Sequence, residues 1–214
     1  MSLEGFRHRL LDIVFRFTRK RRMRRFEKLL RPSESTTVLD VGGTPLNWRY
    51  VAARPCVMLL NLTVPDGAEA AAGQFTFVAG DARTLPYGDQ SFDVAFSNSV
   101  IEHLGTWQDQ QRMAAEVRRV GRQVWVQTPS RWFPIEPHFL APGIHWLPRG
   151  LQRKLLRNFT VWGWLDRPSP AKVSATLAEL RLLSRKEMRQ LFPDCQIITE
   201  RFLGLTKCYI AVRR

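Results

Sequence analysis

The sequence predicts an α/β fold in which a parallel sheet is covered by helices on both faces. Five short apolar runs, rich in β-branched and aromatic residues, end at glycine or at a polar side chain, as buried parallel strands do. Segments with helical spacing lie before the first run and between the last two. The length of 214 residues, 44% hydrophobic and 24% charged, is typical of one globular domain.

The first element is a predicted helix over residues 3–30, where Leu3, Phe6, Leu10, Ile13 and Phe17 recur at helical spacing. Pro32 ends it. The predicted strands follow at residues 36–41, 57–60, 75–78, 92–96 and 123–127. A short helix is expected at 46–53 and an amphipathic helix at 106–120.

The C-terminal part predicts one more helix and a hairpin. Ser184 and Glu187 have the spacing of a capping box that opens a helix ending at Leu191. Apolar runs at about 195–202 and 206–212, joined by a short turn, predict an antiparallel hairpin.

We divide this single domain, residues 1–214, into four segments. Residues 1–31 are a basic N-terminal helix, 32–128 a ligand-binding core, 129–183 an insertion and 184–214 a closing helix and hairpin. The part from 129 to 170 is rich in proline and tryptophan. We expect its prolines to limit regular structure and the segment to form a lid.

The positive charge is concentrated in two segments. The chain has a formal net charge of +14, with 11 basic and three acidic residues in 1–31, and ten basic and three acidic in 149–189. Such a field attracts nucleic acid, acidic lipid headgroups or a phosphorylated substrate, although a solvated arginine-rich surface is equally compatible. The N-terminal helix suits an acidic membrane surface, or it covers the sheet with its apolar face.

Three cysteines without a CxxC spacing predict neither a disulfide framework nor a zinc site. The apolar runs are far shorter than the roughly 18 residues that span a bilayer. Asp12 and Arg16 interrupt the hydrophobic N-terminal stretch, which does not resemble a signal peptide. We therefore expect a cytoplasmic protein, with peripheral attachment to the inner face of the membrane as an alternative.

Small or polar residues lie at the ends of four of the predicted strands or directly after them. They are Asp40, Gly42 and Gly43, then Asn61, then Asp81, then Ser97 and Asn98. Ligands of open parallel sheets bind at the carboxyl ends of the strands, where these residues should meet. The turn after the first strand lacks both GxGxxG and GxxxxGK[ST], which argues against a dinucleotide or a P-loop nucleotide.

Three stretches resemble class I S-adenosylmethionine-dependent methyltransferases, especially the small-molecule type 11 group: VLDVGG (38–43), FVAGDARTLPYGDQSFDVAFSNSVIEHL (77–104) and VWVQTPS (124–130). The resemblance implies a Rossmann-like, seven-stranded, mostly parallel sheet with an antiparallel last strand. It also implies S-adenosyl-L-methionine as the cofactor.

The resemblance assigns a role to each strand end. Asp40 and Gly42, with Gly43 in the same turn, would lie against the methionine end of the cofactor. Asn61 stands where the family has an acid that holds the ribose hydroxyls. Asp81 would accept from the adenine amine, beside the Ala82 backbone, and Ser97 and Asn98 would lie beneath the reactive methyl group.

The sequence departs from the family at two points. The later glycines of its GxGxG motif are replaced in Gly42-Gly43-Thr44-Pro45-Leu46, and Asn61 lacks the charge of a carboxylate. These changes predict an altered cofactor pose or a weaker affinity, and they leave a non-catalytic binding protein as one alternative.

Methyl transfer to oxygen or nitrogen can require a general base. The sequence offers His138 and His103 as the catalytic candidates, with Glu136 and His145 as further possibilities. The lid aromatics could line an acceptor pocket or simply form the lid core. We expect a small-molecule, lipid-linked or glycan-linked acceptor, because the Asn-Pro-Pro-Tyr motif of base-amine methyltransferases is absent; an RNA methyltransferase is the other alternative.

Overall fold

The computed structural model describes residues 3–64, 74–136, 139 and 141–214, with side chains described from residue 16 onward. Nine strands are found in these ranges: β1 (Thr37–Val41), β2 (Cys56–Asn61), β3 (Phe75–Ala79), β4 (Phe92–Asn98), β5 (Gly121–Pro129), β6 (Ile135–Glu136), β7 (Ala141–Pro142), β8 (Gln196–Phe202) and β9 (Leu205–Arg213). Seven of them form one sheet in the order β3-β2-β1-β4-β5-β9-β8. The strands from β3 to β5 are parallel, and β9 is antiparallel to both of its neighbours. The predicted sheet is confirmed.

The helices are α1 (Leu3–Leu30), α2 (Pro45–Trp48), α3 (Trp107–Val120), α4 (Arg149–Phe159), α5 (Val161–Asp166), α6 (Pro170–Glu179) and α7 (Arg185–Leu191). The helices predicted at 3–30 and 106–120 are confirmed, as is the capping box, in which Ser184 and Glu187 bond each other's backbone N–H. The helix predicted at 46–53 is wrong in length, since α2 ends at Trp48.

One face of the sheet is covered by α1 and α2. Phe26 of α1 makes edge-to-face contacts with Trp48, Phe96 and Trp125, with ring centroids 5.7, 5.4 and 5.6 Å apart. These side chains are all buried, as expected for aromatic groups that supply much of a core. The C-terminal half of α1 therefore covers the sheet; the side chains of Phe6, Leu10 and Ile13 lie outside the described residues.

The opposite face is covered by α3 and α7. Met113 and Val117 of α3 are buried in one core with Met188 and Leu191 of α7. Along β1, Leu39 and Val41 point to this core, whereas Val38 points to the α1 side. Since side chains alternate along a strand, Asp40 also lies on the α1 side.

The insertion has a small core of its own, built from Phe139, Ala141, Ile144, Leu156, Val173, Leu177 and Leu180. The expectation that its prolines limit regular structure is wrong for the part from residue 149 onward, because Pro148 and Pro170 stand at the starts of α4 and α6. Proline is well tolerated there, where its missing N–H has no helical partner.

Candidate functional site

A cavity of about 1080 Å³ opens at the carboxyl ends of β1 to β4. We call it the first cavity. Its lining includes five of the eight predicted cofactor-binding residues and one of the two predicted bases, namely Gly42, Gly43, Asn61, Asp81, Ala82 and His103. The volume is at the upper end of the range usual for small-molecule sites. The strand-end loops therefore do meet in one place.

The turn after β1 can be formed only with glycine. Gly42 has φ +72°, and a Cβ built there would lie 2.4 Å from Cγ2 of Val100. A Cβ on Gly43 would lie 2.1 Å from the carboxyl group of Asp40. Both distances are far below van der Waals contact, so the backbone packs directly on its neighbours. Thr44 follows this turn and is also part of the cavity lining.

Asp40 supports this turn from beneath and does not line the first cavity. Its carboxyl group is fully buried, and Oδ2 accepts a hydrogen bond of 2.8 Å from Nε1 of Trp48. Oδ1 has no hydrogen-bond partner among the described residues. Burial raises the pKa of Asp40 to about 7. Strand alternation directs the Asp40 side chain to the α1 side, so it is not part of the lining of the cavity in which the sequence predicts a cofactor contact.

Asn61 and Asp81 face the cavity from β2 and from the loop after β3. The amide nitrogen of Asn61 donates to the carbonyl of Gly43 over 3.0 Å, which leaves the amide oxygen as an acceptor. The Asp81 carboxylate is held by Arg83, with Nη2 2.6 Å from Oδ2 and Nε 3.0 Å from Oδ1. These hydrogen bonds lower the pKa of Asp81. Leu60, Leu62 and Phe77 add apolar surface to the lining of the same cavity.

Ser97 and Asn98 lie elsewhere than predicted, because β4 continues to Asn98 instead of ending at Phe96. Ser97 is buried and donates to the carbonyl of Val41 over 2.9 Å, so it ties β4 to β1. The turn is made by Ser99, whose φ of 60° is uncommon for a residue with a side chain. Ser99, which the sequence analysis missed, lines the first cavity in place of Ser97 and Asn98.

The candidate bases have separate locations. His103 lies on the short 3-10 helix Ile101–Leu104, is exposed and lines the first cavity. His138 lies outside the described residues. Glu136 is buried and accepts a 2.7 Å hydrogen bond from the backbone of Phe139, so it stabilises the insertion.

His145 and the tryptophans of the insertion line neither the first cavity nor a second cavity that adjoins it. His145 Nε2 is 3.1 Å from the carbonyl of Arg131, and burial lowers the pKa of its ring. Trp132, Trp146 and Trp164 are more than half exposed and are not among the residues that line either of these two cavities. The side chains of the insertion that border the first cavity instead come from α6, as Ala178 and Glu179.

A second cavity, of about 380 Å³, adjoins the first and shares Gly42, Thr44 and Ser99 with it. Its other lining residues come from α1, α2, β4, β5 and β9: Thr18, Arg19, Arg22, Asn47, Asn98, Gln127, Pro129, Lys207 and Cys208. Arg22 was missed by the sequence analysis. It could have been found, because it lies four residues before Phe26 and eight before Leu30, on the face of α1 that packs on the sheet.

Arg22 is buried and makes five contacts through its guanidinium group. Nε and Nη2 donate to Glu200 over 3.1 and 3.0 Å, and Nη1 donates to Asn98 Oδ1 over 2.7 Å. Nη1 also donates to Gln127 Oε1 over 3.0 Å, and Nη2 lies 3.6 Å from the sulfur of Cys208. The guanidinium thus joins α1 to four strands of the sheet, β4, β5, β8 and β9.

Comparison with known proteins gives a consistent assignment of the core. Residues 40–123 match the family described as "Methyltransferase domain". The chain is 36% identical over 93 residues to an uncharacterized methyltransferase of Mycobacterium avium, covering 40% of this chain and 35% of that protein. It is 38% identical over 125 residues to a putative methyltransferase of Encephalitozoon cuniculi, covering 55% and 57%. The chain thus spans less than two thirds of the length of these curated relatives.

The fold is similar to solved methyltransferase structures. One is the 1,6-didemethyltoxoflavin-N1-methyltransferase of Burkholderia thailandensis with bound 1,6-didemethyltoxoflavin and S-adenosylhomocysteine. The TM-score is 0.57 at 14% identity, over 96% of this chain and 81% of that one. At this identity the similarity concerns the fold. In the part of the chain that the structure describes, no helix has the length and apolar character needed to cross a membrane.

Proposed function

Because this chain contains a domain of the class I S-adenosylmethionine-dependent methyltransferases, we propose that it binds S-adenosylmethionine in the first cavity and methylates an acceptor at the junction with the second. The observation that carries the proposal is the meeting of Gly42, Asn61 and Asp81 in one cavity at the end of the family's sheet. Ligands of open α/β sheets bind at this edge.

The residues present fit the cofactor. The close-packed Gly42-Gly43 turn offers backbone where a side chain would fill the space. The amide oxygen of Asn61 can accept from a ribose hydroxyl, and the Asp81 carboxylate can accept from an exocyclic amine. When bound, S-adenosylmethionine supplies an electrophilic methyl group, whose bond to sulfur breaks with its electron pair left on sulfur as the acceptor's lone pair bonds to carbon.

The protein's remaining tasks are to align the acceptor and to exclude water. If the reacting atom must lose a proton, His103 is the histidine among the described residues that line the first cavity, and an imidazole can act as a general base. We expect His103→Gln to lower turnover by ~10²–10⁴ if it is the base, with cofactor affinity unchanged. His138 stays a prediction of the same kind.

The acceptor is proposed to be a small molecule or a group linked to a lipid or glycan, reached from an acidic membrane surface. From residue 16 to 31, the exposed side of α1 presents the row Arg16, Lys20, Arg21, Arg24, Arg25 and Lys28, and the exposed Arg31 follows directly after the helix. We call this row the cationic stripe. It extends over roughly 22 Å. Phe17, 67% exposed at one end of the stripe, suits insertion among lipid headgroups.

Titration calorimetry with S-adenosylhomocysteine tests the cofactor assignment. We expect binding to the wild type, and for Asp81→Ala a loss of ~1–3 kcal/mol, which is the cost of leaving a polar group without its partner. Arg83→Ala is the matched control, because it removes the ion pair but keeps the carboxylate; its affinity should stay close to that of the wild type.

The same titration separates the alternatives. An Asp81→Ala variant with wild-type affinity would overturn the site assignment. Binding of the cofactor without methyl transfer to any acceptor extract would favour a non-catalytic binding protein. RNA that copurifies with the chain and persists through a high-salt wash would favour the RNA methyltransferase.

A further inference from the structure

The second cavity has an unusual set of hydrogen-bonding groups. Arg22 can only donate, so the atoms it contacts on Asn98 and Gln127 must be the amide oxygens. Ser99 also donates its hydroxyl to the oxygen of Gln127, over 3.0 Å. The oxygen of Gln127 therefore accepts two hydrogen bonds and that of Asn98 accepts one, and the NH₂ groups are the donors that these two amides offer to a ligand.

The charged side chains of the second cavity also favour an anionic ligand. Arg22 is paired with Glu200 through two hydrogen bonds, and the lining contains two further cationic residues, Arg19 and Lys207. Both are half-buried. No aspartate, glutamate or histidine is among the described residues that line this cavity. A ligand here meets donors and positive charge, the surroundings that stabilise an anion.

The cavity is also correctly placed for an acceptor. It meets the first cavity at Gly42, Thr44 and Ser99, where β1 and β4 end. Ser99 is held in its strained conformation by two bonds to Gln127, one from its hydroxyl and one from its backbone N–H to the carbonyl over 3.0 Å. Strain of this kind is maintained where the surrounding structure requires it, often at functional sites.

We infer that the second cavity is the acceptor pocket and that the acceptor is a small molecule carrying a carboxylate or phosphate group, held by Arg19, Lys207 and the amides of Asn98 and Gln127. This inference rests on the proposed function. An acceptor whose anionic oxygen is itself the nucleophile needs no base: its lone pair forms the bond to the methyl carbon while the carbon–sulfur pair stays on sulfur.

The test uses three probes, benzoate, inorganic phosphate and the neutral benzyl alcohol, added to the full chain with saturating S-adenosylhomocysteine at constant ionic strength. The side-chain amide signals of Asn98 and Gln127 in a ¹H–¹⁵N spectrum report on the cavity itself. We expect saturable shifts with benzoate or phosphate and none with benzyl alcohol. A stronger response to benzoate assigns a carboxylic acid, and a stronger response to phosphate assigns a phosphate ester.

Charge-neutral variants decide whether the cavity residues are responsible. Lys207→Gln and Arg19→Gln should each raise the Kd of the anion about tenfold. Arg24→Gln, on the exposed side of the same helix as Arg19, is the control and should leave the Kd unchanged. The same spectrum shows whether a variant is folded. If either Lys207→Gln or Arg19→Gln unfolds, the other variant still tests the inference.

The two proposals fail in different ways. Absence of anion binding, or equal Kd values for the wild type and Lys207→Gln, with S-adenosylhomocysteine still bound, overturns the acceptor pocket alone. If S-adenosylhomocysteine does not bind, the proposed function fails, and the anion titration without it still decides whether this cavity binds anions.

Discussion

The indole N–H of Trp48 donates a 2.8 Å hydrogen bond to the buried carboxyl group of Asp40. The second oxygen of that carboxyl lies beneath Gly43 and has no hydrogen-bond partner among the described residues. An ionised carboxylate in such a place is costly, because one hydrogen bond does not replace its hydration. The carboxyl group of Asp40 thus supports the glycine turn from beneath, and its pKa is raised to about 7.

This geometry predicts a stability that depends on pH. Because burial raises the pKa of Asp40 to about 7, against ~3.9 in the unfolded chain, the folded state holds the proton more tightly. Stability from this group is complete below pH ~4 and falls by up to ~1.4 kcal/mol per pH unit until the pH passes 7.

Asp40→Asn removes the titration and keeps an acceptor for Trp48. We expect its melting temperature, relative to the wild type, to rise from pH 5 to about 7 and then level off. Asp93→Asn is the control, since that carboxyl is partly exposed and its pKa is lowered by hydrogen bonds from Thr37. A constant difference between Asp40→Asn and the wild type over this range contradicts the prediction.

The glycine turn gives a second prediction. Gly42→Ala adds a Cβ 2.4 Å from Val100 to a residue at φ +72°, so both the contact and the backbone conformation oppose it. We expect a loss of ~1–3 kcal/mol of unfolding free energy, measured by urea denaturation, together with loss of S-adenosylhomocysteine binding.

Gly88→Ala is the matched control, because nothing lies within 4 Å of a Cβ at that position. It should keep both stability and binding. Normal cofactor affinity in a folded Gly42→Ala variant would mean that the turn is not part of the binding site.

The fold could be predicted from the sequence because its strands are continuous apolar runs, buried on both faces, that end at glycine or polar residues. The predictions that failed concern the residues at the ends of the strands. Nothing in Phe96-Ser97-Asn98-Ser99 marks the residue where β4 stops, so the turn was assigned two residues early. Asp40 was assigned to the cavity because its type matches a ligand, whereas the alternation of β1 directs it away.

The long-range contacts were beyond a reading of local patterns. Arg22 lies 178 residues from Glu200 and 105 from Gln127 in the chain, and no local signal joins these residues. Its position on the buried face of α1 was visible, yet within a run of basic residues it looked like part of a solvated surface. Its spacing to Phe26 and Leu30 distinguishes it from its neighbours Arg21 and Arg24, which are exposed.

The cationic stripe predicts membrane affinity that is independent of the cofactor. Replacing Arg21, Arg24 and Arg25 by glutamine should lower binding to phosphatidylserine-containing vesicles roughly 10- to 100-fold, since each cation contributes ~1 kcal/mol near such a surface. Affinity for S-adenosylhomocysteine should not change. Vesicle sedimentation measures the first quantity and calorimetry the second.

The control variant loses the same number of positive charges on a different helix, α7. Arg185, Lys186 and Arg189 on α7 are also exposed, and their replacement by glutamine should leave vesicle binding nearly unaffected. Equal losses for both triple variants would indicate a general charge effect and contradict a surface on α1. Binding to RNA but not to vesicles would assign the stripe to nucleic acid.

The last prediction concerns the ion pair that fixes α1 to the sheet. Arg22 and Glu200 are only 8% and 15% exposed in their side chains, and they face each other over 3.0 Å. Removing one partner leaves a buried charge, so Arg22→Met and Glu200→Gln should each cost ~3–5 kcal/mol in unfolding free energy. The double variant should cost clearly less than the sum of the two, because it leaves neither charge unpaired. Urea denaturation of the four proteins in this cycle gives the coupling energy, with Arg118→Met as a control at the more exposed pair with Asp194. Additive losses would show that Arg22 stabilises the protein through Asn98 and Gln127 instead, and the polar cavity wall, not the salt bridge, would then hold α1 in place.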